Sequence, residues 1–290
     1  MTAADPVLAV DLGGTKTLVA LVSADRVIER VAAPTDPAAG PDGWIDQIAQ
    51  LSAPWRGRFS RVGITVTGLV TDGLWSALNP ATLAIPPRFA LLARAQAALG
   101  LPVTLANDAQ AAAWGEFRYG AGQGRDVVFL TISTGIGGGV VTGGRLLTGR
   151  SGLAGHFGQF ISLTDAHDGT VFEDAASGGW IGRQGLASAN AVFDAARHGD
   201  ITAERLIAQS AVRVARLCRN LQLAFDPAVI VIGGGVGLAD GYLDRINMTL
   251  APLDPVFRPT LARAALGPDA GVIGIAALTE VTQLNKEERQ

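Results

Sequence analysis

Residues 7–22 have the sequence VLAVDLGGTKTLVALV, and this stretch decides the fold of the chain. Its two apolar runs, at 7–10 and 17–22, are typical of buried strands. Between them stand Asp11 and a glycine pair, and glycine lets the backbone turn sharply or approach a ligand closely. The stretch therefore predicts two antiparallel strands joined by a turn that can come close to a bound group.

The same arrangement occurs again in the second half of the chain. A strand-like run at 127–132 enters the sequence STGIGGG at 133–139, and 140–141 leave it. At a constant offset, Gly13 falls on Gly135 and residues 17–19 fall on 139–141. The repetition predicts a duplicated domain, the alternative being a chance similarity of two hairpins.

Between and after these hairpins, strand patterns alternate with helix patterns. Asn107 is a candidate N-cap, and Gly100 is a candidate C-cap. The predicted strands are 26–31, 62–66, 103–106 and 229–232, and the predicted helices are 44–51, 89–99, 108–119, 187–197, 203–224 and 271–284. This alternation indicates an α/β protein.

Composition excludes several classes of function. The 290 residues are 48% apolar, enough for one large or two medium domains. A net charge of −3 gives no basic surface for nucleic acid or an anionic membrane. The single cysteine, Cys218, excludes an intramolecular disulfide. We find no signal-peptide pattern and no apolar run of the ~20 residues that a membrane span needs, so we expect a cytoplasmic protein.

The glycine turns narrow the choice among phosphate sites. Lys16 and Lys286 are the only lysines among 23 basic residues, and a compact ammonium at Lys16 suits phosphate. A P-loop requires a Gly-Lys pair, which the chain lacks. A dinucleotide site at Gly233–Gly237 is a second alternative, but its third glycine position is Leu238.

Together the motifs resemble those of the ROK family (repressors, open reading frames, kinases) in the actin-like ATPase superfamily. They are the hairpin at 7–22, Asn107-Asp108 at a helix start, the loop 133–139 and the strand ending at Gly233, in this order over about residues 7–280. The resemblance implies an α/β, two-domain actin-like ATPase (ribonuclease H-like) fold, with duplicated mixed-sheet domains around a cleft. It divides the chain into 1–117 plus 272–290 and 118–271.

The resemblance also implies that ATP binds in the cleft and gives its γ-phosphoryl group to a sugar hydroxyl. Asp11 is then expected to hold Mg²⁺ through a water molecule. The expected nucleotide contacts are Gly13, Gly14, Thr15 and Lys16 on one side of the phosphates, Thr134 and Gly135 on the other, and Gly233, Gly234 and Gly235 beside the adenosine. Positioning and charge neutralisation by such groups are most of what phosphoryl transfer requires.

Asp108 is the expected general base, because a helix N-terminus stabilises a carboxylate there. Alone, the pair Asn107-Asp108 is more typical of an ordinary helix cap. The sequence LANDAQAA at 105–112 resembles the family's catalytic motif, in which the Asp takes the proton and the Asn binds sugar. Gly68 and Asn79 are further expected sugar contacts, although Asn-Pro is equally typical of a plain turn.

Two later segments, GLAGHFGQ at 152–159 and FEDAASG at 172–178, resemble the family's remaining sugar-binding motifs. They add His156, Gln159 and Glu173 to the expected contacts. The first motif usually ends in a zinc-binding His and is followed by a cysteine-rich segment, but here the position is Gln159 and that segment is absent. A thiolate zinc site therefore cannot form, and we expect a protein without zinc.

The expected activity is ATP- and Mg²⁺-dependent phosphorylation of the 6-hydroxyl of a hexose or N-acetylhexosamine by a homodimer. N-acetylmannosamine is favoured by the resemblance of 154–156 and 77–83 to that branch, with glucose and N-acetylglucosamine as alternatives. Three other classes stay open: a non-catalytic sugar-sensing regulator, a sugar-responsive repressor and a dinucleotide oxidoreductase. The intact loops and carboxylates disfavour the sensor, and a first strand at Val7 leaves no room for the repressor's DNA-binding domain.

Overall fold

The computed structural model describes residues 5–78, 83–161, 170–185 and 188–287. They form two compact units: unit 1 comprises Met1–Tyr119, Thr148–Leu153 and Pro268–Gln290, and unit 2 comprises Gly120–Leu147 and Ala154–Gly267. The strands are β1 (Val7–Leu12), β2 (Lys16–Ser23), β3 (Arg26–Pro34), β4 (Val62–Val66), β5 (Leu69–Thr71), β6 (Leu74–Ser76), β7 (Val103–Asn107), β8 (Val127–Ile132), β9 (Ile136–Thr142), β10 (Arg145–Leu147), β11 (Val229–Gly233) and β12 (Leu261–Arg263). The α-helices are α1 (Gly40–Ser52), α2 (Leu91–Leu99), α3 (Asp108–Arg118), α4 (Glu173–Ala176), α5 (Gly178–Gln184), α6 (Ala189–Arg197), α7 (Ile201–Phe225), α8 (Gly234–Gly237), α9 (Tyr242–Leu250) and α10 (Ala270–Glu287).

Unit 1 is built on a five-stranded sheet in the order β3-β2-β1-β4-β7. The strands β1, β2 and β3 are antiparallel neighbours, whereas β1, β4 and β7 run parallel. The strands β1 and β4 are almost entirely apolar and buried, as expected for the central strands of a sheet covered on both faces. Trp44 and Trp75 meet edge to face, with ring centroids 5.9 Å apart, in the core of this unit.

Unit 2 repeats this topology. Its sheet has the order β10-β9-β8-β11-β12, again with three antiparallel strands followed by parallel ones. The predicted duplication of mixed-sheet domains is therefore confirmed at the level of topology. The long helix α7 supplies much of the core, with buried residues such as Val214, Cys218 and Leu221.

The predicted one-to-one correspondence of the two hairpins is wrong in detail. In the hairpin of β1 and β2, the paired residues nearest the turn are Leu12 and Thr17. In the hairpin of β8 and β9 they are Ile132 and Ile136, so the turn of the first hairpin is one residue longer. A single offset cannot align both strands, and Gly13 does not correspond to Gly135. Both turns nevertheless follow the first strand of their sheet.

Most predicted elements lie within a few residues of the observed ones. The helix expected at 89–99 begins at Leu91, because Phe89 instead forms a bridge with Trp75 through two backbone hydrogen bonds of 2.8 Å. The expected N-cap is confirmed: the Asn107 side chain accepts hydrogen bonds from the N–H groups of Ala109 and Gln110. Within the described ranges, we find no helix that combines the length and apolarity needed to cross a membrane.

Candidate functional site

Parallel strands bring the predicted residues of the first half to one edge of the unit 1 sheet. The strands β1, β4 and β7 end in register, with Leu12 beside Val66 and Val66 beside Asn107. Asp11 stands one residue before this edge, and Asp108 one residue after it. The carboxyl edge of parallel strands is where open α/β sheets bind ligands.

Asp108 is the first residue of α3, and its carboxylate accepts a hydrogen bond of 2.8 Å from the Ala109 N–H. The side chain keeps a surface exposed to solvent on one side, while protein crowds it on the others. This burial, followed by the negative charge of Asp11, raises the pKa of Asp108 to about 6. Such a carboxyl is mostly ionised at neutral pH and is more basic than an ordinary Asp, which suits a general base.

Asp11 lies at the end of β1 and is partly buried. Its Oδ1 accepts a hydrogen bond of 3.1 Å from the hydroxyl of Thr65, a buried residue of β4. Burial raises the pKa of Asp11, and the Thr65 hydrogen bond and the charge of Lys16 oppose that rise. Two carboxylates that repel each other therefore share this edge, and a divalent cation would relieve the repulsion.

The turn Gly13–Lys16 is fastened by Thr35. The Gly13 N–H donates to the Lys16 carbonyl at 3.1 Å, the Thr35 hydroxyl donates to the Gly13 carbonyl at 2.8 Å, and the Thr35 N–H donates to the Thr15 carbonyl at 3.1 Å. Because the Thr35 hydroxyl donates its single hydrogen to the Gly13 carbonyl, it acts as the acceptor in its hydrogen bond of 2.9 Å with the Thr17 hydroxyl. The side chains of Thr15 and Lys16 stay at the surface.

Asn107 is more deeply engaged in the protein than the sequence indicated. Its side-chain oxygen accepts from Ala109 and Gln110 at 3.0 and 3.1 Å, and its amide nitrogen donates to the Gly68 carbonyl at 3.1 Å. The Asn107 side chain also forms a hydrogen bond with the Asp108 carboxylate, which opposes the rise in the pKa of Asp108 that burial causes. Gly68 is thus part of the same cluster, whereas Asn79 lies outside the described residues.

In unit 2 the two predicted glycine segments also follow neighbouring parallel strands. Thr131 of β8 pairs with Gly233 of β11, so the loop 133–135 and the segment 233–235 leave the sheet at one edge. The carbonyls of Ser133 and Thr134 accept hydrogen bonds of 2.7 and 3.0 Å from the first two N–H groups of α5. These bonds fix the loop from behind.

A cavity of about 470 Å³ opens beside the second glycine segment. Gly235 lines it, and a Cβ built on Gly235 would meet no atom within 4 Å. The preceding Gly234 differs, because its φ is +82° and a Cβ would lie 2.5 Å from the Ile132 carbonyl oxygen. The backbone conformation and packing therefore require glycine at 234. At 235 the protein could accommodate a side chain, which would take space from the cavity.

Helix α6 supplies the opposite wall of this cavity, which the sequence did not indicate. Asn190, Asp194 and Arg197 line it at helical spacing together with Phe193, and Arg197 forms an ion pair with Asp194. Their recurrence every three or four residues was the available signal. Polar residues on one helix face usually indicate only a solvated surface, so this recurrence does not by itself predict a binding site.

The last predicted group clusters around Glu173, at the start of α4. Its Oε1 accepts a hydrogen bond of 2.7 Å from Gln159, and its Oε2 accepts one of 3.3 Å from the Ile136 N–H. His156 is partly buried in the turn before the 3₁₀ helix Phe157–Gln159. Three predicted side chains therefore lie in one region of unit 2.

Among the residues that the structure describes, no three His, Cys, Asp or Glu side chains are grouped so as to hold a metal by themselves. Mg²⁺ does not need such a group, since it commonly binds through one or two carboxylates together with substrate phosphates. Asp11, a partly buried carboxylate adjacent to the Gly13–Lys16 turn, fits that requirement.

Comparison with known proteins gives consistent matches over almost the whole chain. The model of the ROK family matches residues 7–281. The chain is 50% identical over 279 residues to the bifunctional enzyme NanE/NanK of Brucella melitensis biotype 1, covering 94% of this chain and 54% of that protein. It is 40% identical over 292 residues to N-acetylmannosamine kinase of Shigella flexneri, covering 96% and 99%. The chain thus spans about half the length of the first relative and nearly all of the second.

A solved structure supports the same grouping. The ROK family glucokinase of Streptomyces griseus, in complex with glucose and AMPPNP, superposes with a TM-score of 0.81 at 30% sequence identity. The match covers 94% of this chain and 98% of the glucokinase. The two mixed sheets described above therefore match the architecture of that glucokinase.

Proposed function

The chain belongs to the ROK family, and we propose that it is an ATP-dependent kinase that phosphorylates the 6-hydroxyl group of N-acetylmannosamine. The observation that carries the proposal is Asp108, a carboxylate at a helix N-terminus whose pKa is raised to about 6 beside Asp11. Relatives with 40% and 50% identity bear the names N-acetylmannosamine kinase and NanE/NanK, which supports both the reaction and the sugar.

In the proposed reaction, Asp108 accepts the proton of the attacking hydroxyl. The sugar oxygen forms a bond to the γ-phosphorus of ATP as the bond to the β,γ-bridging oxygen breaks, which leaves ADP and a sugar 6-phosphate. The raised pKa of Asp108 helps, since a stronger base holds the proton better while most of the carboxyl is still ionised at neutral pH. The Asn107 side chain, which also forms a hydrogen bond with the Asp108 carboxylate, would bind a neighbouring sugar hydroxyl.

Phosphate binding falls to the two turns. Gly13, Gly14, Thr15 and Lys16 are proposed to contact the phosphates, with the Lys16 ammonium supplying positive charge and the Gly13 N–H remaining bonded to the Lys16 carbonyl. Thr134 and Gly135 of the loop 133–135 are the further proposed phosphate contacts. Mg²⁺, held by Asp11 through water, would neutralise charge on the triphosphate. The Thr35 hydrogen bonds keep the first turn in one conformation, so little reorganisation is needed on binding.

The cavity beside Gly235 is proposed to take the adenosine. Its size fits a nucleoside, and Gly235 leaves space where a side chain would intrude. Phe193 offers an apolar surface to the base, and the paired Asp194 and Arg197 offer polar contacts. These α6 residues extend the predicted set of Gly233, Gly234 and Gly235.

Gly68, Asn107, His156 and Glu173 are the proposed sugar contacts. Glucose and N-acetylglucosamine are the alternative substrates, as the glucokinase neighbour indicates. As an ATP-using enzyme of sugar metabolism, the protein is expected to act in the cytoplasm.

A coupled assay of ADP release tests the proposal. With ATP and Mg²⁺, N-acetylmannosamine should stimulate ADP release with a higher kcat/KM than glucose or N-acetylglucosamine. If only another sugar stimulated ADP release, the proposed kinase activity would stand and the proposed substrate would be wrong. Absence of stimulation by every sugar, from a preparation that binds ATP, would refute the kinase and favour a non-catalytic sugar-sensing regulator.

A further inference from the structure

The geometry points to Gln159 as a positioning residue. Its side chain holds the Glu173 carboxylate in the orientation that binds the sugar and keeps that carboxylate against the loop 133–135. The inference rests on the proposed function, because it takes Glu173 as a sugar contact. It adds a role for Gln159 that does not require Gln159 to touch the sugar.

The donor and the acceptor in this contact are unambiguous. A carboxylate accepts hydrogen bonds only, so the amide nitrogen of Gln159, rather than its oxygen, faces Glu173 Oε1 at 2.7 Å. The second carboxylate oxygen accepts from the Ile136 N–H at 3.3 Å. Each oxygen of the half-buried carboxylate therefore accepts one hydrogen bond, and its remaining lone pairs can accept hydrogen bonds from a ligand.

The backbone places Gln159 for this task. The Phe172 N–H donates to the Phe160 carbonyl at 2.7 Å, and Ile161 forms a bridge with Val171, so the segments 159–161 and 171–173 run side by side. Gly158 packs against the Ile136 carbonyl, where a Cβ would overlap it. Gln159 and Glu173 are therefore brought together by backbone contacts that do not depend on their side chains.

The same carboxylate is in contact with the proposed phosphate loop. A Cβ on Gly135 would lie 2.7 Å from Glu173 Oε2, so the carboxylate rests directly against this glycine. The carbonyls of Ser133 and Thr134 are meanwhile held by the N–H groups of Gly178 and Gly179. Glu173 is thus joined to Gln159 and Ile136 by hydrogen bonds and to Gly135 by close contact, so a change at Gln159 would reach the sugar through Glu173.

The test compares two variants of Gln159 with a matched control. Gln159→Leu keeps most of the volume and removes the donor, and Gln159→Glu places a second carboxylate against Glu173. Gln222→Leu is the control, because the half-buried Gln222 also donates to a carboxylate, that of Asp226, at 2.9 Å at the C-terminal end of α7. Sugar affinity is measured by calorimetry with N-acetylmannosamine, glucose and N-acetylglucosamine, and kcat and KM by ADP release.

We expect Gln159→Leu to weaken sugar binding and to raise the sugar KM about tenfold, the effect of losing one hydrogen bond to a charged group. The kcat should change less, and Gln222→Leu should match the wild type. Gln159→Glu should bind sugar poorly at pH 8 and regain affinity relative to the wild type towards pH 5, because two adjacent carboxylates then share a proton that restores the hydrogen bond. The neighbouring segments also carry His156, Asp174 and Arg183, the last two paired at 3.1 Å, so the wild type and Gln159→Leu are titrated in parallel.

Calorimetry separates failure of the inference from failure of the proposed function. Sugar binding without phosphorylation would refute the kinase, and a weaker affinity of Gln159→Leu would still support the positioning role. Wild-type affinity in Gln159→Leu, or no pH-dependent recovery in Gln159→Glu, would overturn it. A protein that binds none of the three sugars would overturn it as well.

Discussion

Substitution of Gly235 by Ala should weaken ATP binding without harming the fold. A Cβ at this position meets no protein atom within 4 Å and projects beside the cavity of about 470 Å³. Gly235 lies within α8 and is not among the glycines with positive φ, so alanine fits its backbone. The variant should be as stable as the wild type or more stable by about 0.4–1 kcal/mol.

The loss of affinity follows from the space that the new methyl group takes from the ligand. Overpacking by one methyl group in a close contact costs about 1–3 kcal/mol, which corresponds to roughly a fivefold to hundredfold rise in the KM for ATP. The sugar KM should stay within about twofold, because the change is confined to the nucleotide cavity. Steady-state kinetics with varied ATP, direct calorimetry of ATP and thermal unfolding are the assays.

Gly234→Ala is the matched control, one residue away. Its φ of +82° and a Cβ 2.5 Å from the Ile132 carbonyl oxygen predict a loss of stability of about 2–4 kcal/mol. A Gly235→Ala variant with wild-type affinity for ATP would refute the assignment of the cavity to adenosine. A Gly235→Ala variant as unstable as Gly234→Ala would refute the geometric argument behind it.

Three further outcomes are expected. Because the base must be ionised and the pKa of Asp108 is raised to about 6, kcat/KM should fall about tenfold per pH unit below that value; activity that is constant down to pH 4.5 would contradict the assignment. Thr35→Val removes the hydroxyl that donates to Gly13 and should raise the KM for ATP and lower stability by about 1–2 kcal/mol, in contrast to Thr202→Val at an exposed helix start. Elemental analysis of the purified protein should find no stoichiometric zinc, and one zinc per chain would overturn the argument from Gln159 and the missing cysteine segment.

The sequence predicted the fold best where a short, local pattern determines the structure. Local signals predicted the hairpins at 7–22 and 127–142 and the cap at Asn107. Apolar runs, glycine turns and capping side chains each act over only a few residues, so they can be recognised in the sequence. Parallel pairing brings Asp11 and Asp108 to one edge, whereas in the sequence only the resemblance to the family placed both residues in one site.

What could not be predicted depends on contacts between segments far apart in the chain. The hydrogen bond from Gln159 to Glu173 exists because 159–161 and 171–173 run side by side, and no local pattern encodes that pairing. The wall formed by α6 likewise depends on where the helix packs against unit 2. The hydrogen-bond partners of Asn107, whose side-chain oxygen accepts the two bonds of the helix cap, could likewise be identified only from the structure.

The central claim is that Asp108 takes a proton from a sugar hydroxyl, and one comparison tests it most directly. Sugar-dependent ADP release and sugar affinity are measured side by side for the wild type and Asp108→Asn, which keeps the shape of the side chain and removes its basicity. We predict that kcat falls by a factor of about 10²–10⁴, while the affinity for N-acetylmannosamine changes by less than about fivefold. An Asp108→Asn variant that phosphorylates the sugar at a rate near that of the wild type would contradict the claim.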